Sequence, residues 1–374
     1  MTGRVVPGRG PTSARIALVG EAPGEDEERL GEPFVGASGR LLNEMLAAAG
    51  IDRRGCYVTN VVKTRPPGND FRQAWYEDKR GLVPKPELVA AREALVKELQ
   101  AIEPNVIVAL GDEALRALTG HGGLGKWRGS IIATPAGKVV ATYHPARILR
   151  EWSDRRIAEV DLRRAKTESL TSEVNIPVIE CLINPTKEQV LDWLGRVQPG
   201  TTLAFDIETL GATVRCIGFA VGPRSAMCVP FVSCRRGRSS GGTGTLVPTD
   251  GAPFGSHWAP KDEEDILREV TRVLEDPRVP LIAQNFQFDA ARLSDEFGIV
   301  CQGLVLDTMV AQHCCYCELP KSLAFMCSLY TRVPFYKDHD ASSDLDEWRY
   351  NCYDAAVTYE IAGELVKEMK EMGV

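Results

Sequence analysis

Asp206 and Glu208 stand two apart in the run Leu203-Ala204-Phe205-Asp206-Ile207-Glu208-Thr209, at the end of an apolar, strand-like stretch. Side chains at i and i+2 of a strand emerge on one face. Both carboxylates therefore aim at one spot, where they repel unless a cation lies between them. Hard divalent cations prefer carboxylate oxygens, so the pair reads as a metal site. Asp289, in Asn285-Phe286-Gln287-Phe288-Asp289, follows the apolar run Leu281-Ile282-Ala283, where a second strand gives way to a helix. Tyr350 and Asp354 are spaced i, i+4 and share a face if their segment is helical. An isolated Asp-x-Glu is usually a solvated strand end; three acidic motifs in the expected strand, helix-start and helix contexts are not.

In this order the three motifs closely resemble the proofreading 3′–5′ exonucleases of the DEDD superfamily, of the tyrosine-bearing kind, over roughly residues 175 to 374. The resemblance implies a ribonuclease H-like domain with a mixed sheet. It also implies two Mg²⁺ or Mn²⁺ ions about 4 Å apart, which activate water and stabilise the leaving alkoxide. Asp206, Glu208, Asp289 and Asp354 would ligate them, and the Tyr350 hydroxyl would position the attacking water. Asp307, in Leu306-Asp307-Thr308-Met309, is a rival fourth acid; the family carries a similar segment at a helix start, so it is read as a helix cap.

A second constellation lies in the first half. Gly20-Glu21-Ala22-Pro23-Gly24 follows the apolar strand Ile16-Ala17-Leu18-Val19, and Glu32-Pro33-Phe34-Val35-Gly36 comes shortly after. A helix from Ser38 to about Ala49, a strand ending Tyr57-Val58-Thr59-Asn60, the loop Lys63 to Asn69 and the run Val139 to Pro145, with His144, complete the series. Alternating strands and helices predict a layered α/β unit with its site at the strand ends. The five segments in this order resemble a family 4 uracil-DNA glycosylase over about residues 5 to 165, which implies a three-layer α/β/α domain.

By that resemblance Phe34 stacks on a flipped uracil, the Asn60 amide reads its edge, and Ala22 and Glu27 line the same pocket, Glu27 near the base's C5 edge. His144 would donate to the leaving uracil, and Glu21 would orient or activate water. Arg147, Ile148 and Leu149 follow His-Pro in the loop that enters the duplex in relatives, an apolar wedge with a flanking cation. Singly, Phe34 reads as core, His144 as a satisfied loop histidine and Asn60 as a strand-end cap. Members of the family carry a four-cysteine iron–sulfur cluster. Here Thr64 and Ala91 stand at the downstream ligand positions, and no cysteine precedes Val6-Pro7-Gly8-Arg9-Gly10-Pro11. Cys56 alone cannot replace four thiolates, so the expectation is no cluster and a lobe that relies on packing.

The 374 residues, 44% hydrophobic and 25% charged, suit two α/β domains with separate cores. The polar stretch Thr167 to Asn175 marks the boundary, giving a glycosylase-like domain over 1–168 and an exonuclease domain over 169–374. Residues 233 to 260, rich in Gly, Ser and Thr, read as a long mobile loop. Gly120 to Lys126 mimics a phosphate loop, but Trp127 replaces the Ser/Thr that would hold Mg²⁺, so nucleotide binding there is rejected. His313-Cys314-Cys315-Tyr316-Cys317 cannot converge on one tetrahedral ion from a single helix.

The net charge of −7 fits a DNA enzyme only through local basic patches, for which Arg147 to Arg164 and Arg235-Arg236-Gly237-Arg238 are candidates. Eleven cysteines without a secretion signal point to reduced thiols. With no apolar run of about eighteen residues, the expectation is a cytoplasmic protein without membrane contact, in a bacterial host if phage-encoded.

Together the resemblances imply hydrolytic excision of uracil from DNA plus metal-dependent 3′–5′ exonucleolytic removal of nucleotides. Such fusions resemble the leading part of certain bacteriophage family A DNA polymerases. No polymerase domain is expected in the roughly twenty residues after Asp354, so a separate DNA polymerase chain is an expected partner, or this chain is a piece of a longer one. One alternative is an exonuclease with a non-catalytic uracil-DNA-binding module. Another is a non-enzymatic polymerase accessory.

Overall fold

A computed structural model describes residues 3–78, 83–233, 255–337 and 343–374. The chain divides into two compact units, Met1–Ile176 and Pro177–Val374. The polar stretch read as a boundary stays with the first unit. Its residues are stapled there by the buried Lys138, whose Nζ reaches Glu168 Oε2 at 2.9 Å and the carbonyls of Thr171 at 2.8 Å and Glu173 at 2.9 Å. Most of the predicted long loop and the Arg235–Arg238 run lie outside the described residues.

In the first unit, strands β1 (Ile16–Gly20), β2 (Cys56–Asn60), β3 (Val106–Leu110), β4 (Ile131–Thr134) and β5 (Gly137–Thr142) form one sheet in the order β2-β1-β3-β5-β4. All neighbours are parallel except β4 with β5. The strands are short, continuous apolar runs because both faces are covered. Ile16, Leu18, Val58, Val108 and Val140 face the helices Ala37–Ala48 and Asp154–Glu168. The helix Asp112–Thr119 packs against β1, β3, β4 and β5. The parallel register pairs Gly20 with Asn60 at the carboxyl ends of β1 and β2.

In the second unit, β6 (Glu180–Leu182), β7 (Leu203–Leu210), β8 (Thr213–Gly222), β9 (Ser225–Pro230), β12 (Leu281–Ala283) and β13 (Leu304–Asp307) form a mixed sheet in the order β13-β12-β7-β8-β9-β6. A two-stranded ribbon, β10 (Val232–Ser233) with β11 (Gly255–Ser256), forms a separate small sheet that touches β8 through β10. Phe205, Ile207, Ile217, Phe219 and Leu281 pack against the helices Lys187–Gly195 and Pro260–Glu275. The opposite face is lined with the small residues Ala204, Cys216, Ala220, Ala226 and Cys228, and packs against the 29-residue helix Asp344–Met372. Small side chains let that helix lie close to the sheet. A Cβ added at Gly218 would come 2.6 Å from the Asn351 carbonyl oxygen.

Candidate functional site

On β7 the two-residue period places Asp206 and Glu208 on the same face as Ala204, toward the helix Asp344–Met372. That helix carries Tyr350, and one turn later Asp354. Asp206, Glu208 and Asp354 each bring a carboxylate oxygen within 4.8 Å of the others. Asp289 sits in the first turn of the helix Phe286–Phe297, whose start is held by Asp307. Asp307 accepts from the amides of Asn285 at 3.1 Å and Phe286 at 2.8 Å, and from Met309 N at 2.8 Å at the next helix start. Its carboxylate is thus used as a cap, as the sequence suggested.

Burial and mutual repulsion make these acids poor at carrying charge unaided. Asp206 is pushed well above the usual carboxylate range by burial and by Asp354, Asp289 and Glu208. Glu208 is raised to about 7 by burial and Asp354, and Asp289 to about 8 by burial, Asp307 and Glu208. Asp289 Oδ2 is buried without a hydrogen-bond partner, a costly state that a cation would relieve. An all-oxygen donor set with an orphaned carboxylate oxygen fits hard divalent ions.

Two residues that no metal motif signals also reach this cluster. Tyr336 Oη donates to Asp354 Oδ1, and Lys337 Nζ lies 2.5 Å from Asp354 Oδ2. The Tyr350 ring stands 6.5 Å from that of Tyr336.

In the first unit, Phe34, Asn60 and His144 come together at the carboxyl end of the sheet, and Glu21 follows β1 at the same end. A Cβ on Gly20 would meet Asn60 Oδ1 at 2.4 Å and Phe34 Cζ at 2.5 Å, so these two side chains converge over a glycine that has no room to be anything else. Phe34 adopts a left-handed backbone, φ 56°. Arg53 clamps it, donating to the carbonyls of Pro33 at 3.0 Å and Phe34 at 3.1 Å. The Phe34 and His144 ring centroids are 5.8 Å apart. Asn60 is 2% exposed, and both polar atoms of its amide lack a partner. His144 Nδ1 accepts the Ala146 N–H at 3.1 Å, so Nε2 carries the proton. Burial, then Arg150, lowers its pKa to about 4, which keeps the imidazole neutral.

Glu21 opens onto a cavity of about 400 Å³ lined also by Asn69, Asp70, Phe71, Arg72, Asp112 and Glu113. Burial and the nearby Glu113 raise the Glu21 pKa to about 7. Ala22 follows it in the turn after β1 and is partly buried. Glu113 was not signalled by any motif; it is buried and accepts from Tyr76 Oη at 2.6 Å.

Some expected residues do not join these sites. Ile148 is 0% exposed and belongs to the core, because it falls on the inner side of the short helix Pro145–Ile148; it cannot act as a wedge as it stands. Leu149 is 48% exposed. Arg147 is exposed too, but its Nε donates to Asp154 Oδ2 at 2.7 Å and its guanidinium lies over Tyr143. Several cations between Arg147 and Arg164 are similarly engaged, Arg155 with Glu159 and Glu44, and Arg164 with the Gly129 carbonyl. Glu27 is buried with its carboxylate on the backbone amides of Gly24 and Phe34, where it shapes the Phe34 turn. In the glycine-rich run, the amides of Gly123 and Leu124 are taken by Asp112 Oδ1 at 2.8 and 3.0 Å, which leaves no phosphate cradle. Cys315 is buried whereas Cys314 and Cys317 are exposed, so these thiols do not converge.

Comparison with known proteins bears on both halves. The Uracil DNA glycosylase superfamily matches residues 7–167, and the 3′–5′ exonuclease family matches residues 183–370. A type-4 uracil-DNA glycosylase of Archaeoglobus fulgidus is 40% identical over 168 residues, covering 42% of this chain and 79% of that protein. Its counterpart in Thermotoga maritima is 41% identical over 169 residues, covering 44% and 82%. A DNA polymerase of Bacillus phage SP01 is 26% identical over 211 residues, covering 54% of this chain and 22% of the polymerase.

Proposed function

This chain belongs to the uracil-DNA glycosylase superfamily through its first half and to the 3′–5′ exonuclease family through its second, and from that premise we propose which residues carry the two reactions. The protein is a bifunctional enzyme acting on DNA.

For uracil excision, the observation that carries the assignment is the buried, unpartnered amide of Asn60. A buried amide without partners costs about 1–3 kcal/mol, and the Watson–Crick edge of an everted uracil supplies both a donor and an acceptor for it. Phe34, held in its left-handed turn by Arg53, packs on the base, and Ala22 borders it. His144 Nε2–H donates to the uracil oxygen on which negative charge builds as the glycosidic bond breaks; a neutral donor serves here because it need not lose a proton. Glu21, as the carboxylate, accepts a proton from the water that attacks the sugar. Glu27 acts through the backbone, fixing Phe34, rather than by touching the base. Arg147 and Leu149 contact the DNA flanking the pocket.

Between Thr64 and Ala91, Phe71, Trp75 and Tyr76 are buried and the Arg92–Tyr76–Glu113 chain of hydrogen bonds ties Tyr76 in place, which supports a segment rigid through packing. The unit works without an iron–sulfur cluster.

For the exonuclease, Asp206, Glu208, Asp289 and Asp354 hold divalent cations, Mg²⁺ or Mn²⁺. Such ions polarise a phosphodiester and lower the pKa of bound water. Tyr350, one turn before Asp354, orients the attacking water, and Lys337 offsets part of the acidic charge at Asp354. A separate polymerase chain is the partner that proofreading chemistry calls for. A test of both assignments uses a 5′-labelled, single-stranded oligonucleotide with one uracil. Asp206→Ala abolishes shortening and leaves uracil release intact, while His144→Ala does the reverse. Loss of both activities in either variant would refute the division of roles.

A further inference from the structure

We propose that Asn351 is the positioning residue of the exonuclease centre, fixing the Asp206 carboxylate in the one orientation that can take a metal ion; the inference rests on the metal-site reading above. Asn351 is 0% exposed and sits between Tyr350 and Asp354 on the helix Asp344–Met372. Its Nδ2 donates twice to the same residue, to Asp206 Oδ2 at 2.9 Å and to the Asp206 main-chain oxygen at 3.2 Å. A donor shared between the backbone and the side chain of one residue locks the side-chain torsions relative to the strand. Asp206 Oδ2 is thereby engaged, in a carboxylate that lies within 4.8 Å of those of Glu208 and Asp354.

The amide's own orientation is set independently. Its Oδ1 accepts from the Cys228 thiol at 3.4 Å on β9, so the NH₂ end must point to Asp206. Gly218, which pairs with Asp206 across β7 and β8 and with Cys228 across β8 and β9, makes the space: a Cβ there would lie 2.7 Å from Asn351 Oδ1. Strands β7, β8 and β9 thus contribute one residue each to a seat for a single helix side chain, and that side chain aims one metal ligand. Hydrogen bonds that orient a ligand in this way are commonly worth 10–100-fold in metal affinity or activity.

The test is Mn²⁺ binding to the metal-stripped full-length chain, followed by the electron paramagnetic resonance signal of free Mn²⁺, beside thermal melting in chelator and steady-state exonuclease kinetics. Asn351→Ala is expected to weaken Mn²⁺ binding by about tenfold or more and to lower kcat at saturating metal, with the KM for the DNA strand and the chelator melting point nearly unchanged. Cys228→Ala should weaken Mn²⁺ binding less, and Cys228→Ser, which restores a donor, should recover it; this pair decides the matter if Asn351→Ala does not fold. Mn²⁺ affinity in Asn351→Ala equal to wild type, or equal affinities in the two Cys228 variants where Asn351→Ala is unfolded, overturns the proposal. A wild-type chain that binds no more Mn²⁺ than Asp206→Ala overturns the metal-site reading itself.

Discussion

In the proposed reaction Glu21 and His144 divide the labour of uracil excision by protonation state, and burial is the largest cause of both shifts. Glu21, raised to about 7, is an effective base only once deprotonated. His144, lowered to about 4, stays a neutral donor throughout the neutral range. Uracil release should therefore fall about tenfold per unit as pH drops below 7 and level off above it, with no second limb between pH 5 and 9. Single-turnover rates across that range check this, and a flat profile in the wild-type protein would remove Glu21 as the base. His144→Ala should slow release by about 10²–10³-fold and leave the exonuclease untouched.

In the other unit the sign reverses. The Asp206 pKa is raised in the folded chain, so without metal its ionisation opposes folding increasingly as pH rises above the ordinary carboxylate range. Asp206→Asn should raise the melting temperature in chelator at pH 8 by a few degrees, roughly 1 kcal/mol, while abolishing nucleotide removal. Calorimetry at pH 8 and pH 5 tests this; the stabilisation should shrink at pH 5.

At the scale of elements, much of this was legible because short-range geometry places the residues. The two-residue period of β7 put Asp206 and Glu208 on one face, and the helical repeat put Tyr350 and Asp354 on another, before either face had a partner. What was not legible depends on pairings distant in the chain. Asn351 reads as an ordinary polar helix residue until β7 is brought against it, 145 positions away. Lys337 precedes Asp354 by 17 residues in an irregular stretch with no metal motif. Ile148 follows His-Pro as a wedge would, yet a single helical turn rotates it into the core.

The packing of the long helix is itself testable. Arg215, 1% exposed on β8, anchors its start by pairing with Asp344 at 2.8 Å and with Glu347. Gly218→Ala should push the helix away from the sheet, costing about 1–3 kcal/mol by overpacking, and exonuclease activity should fall out of proportion to the loss of stability. In the first unit, Phe71 packs against Trp75 and Tyr76 in the segment between Thr64 and Ala91. Metal analysis of the active protein should find far less than one iron per chain, and chelation should not affect uracil release.

At the scale of the whole molecule, a net charge of −7 sits on an enzyme whose substrate is a polyanion. The contradiction eases once acids are located. Three, Asp206, Glu208 and Asp354, are in the carboxylate cluster of the second unit with Asp289 near it, and four more, Glu21, Asp70, Asp112 and Glu113, line the cavity of the first unit. Many arginines around Arg147 to Arg164 are spent on internal pairs, so few phosphates are neutralised and DNA affinity should be modest, with a shallow dependence on salt.

The most direct measurement is release of free uracil from a uracil-containing single strand by the Asp206→Ala protein in chelator, where no exonuclease can degrade the substrate. Uracil should be released at the wild-type rate by Asp206→Ala and be lost in the Asp206→Ala/His144→Ala double variant. No release above background by Asp206→Ala, or equal release by the double variant, would contradict a catalytic pocket at Phe34, Asn60 and His144.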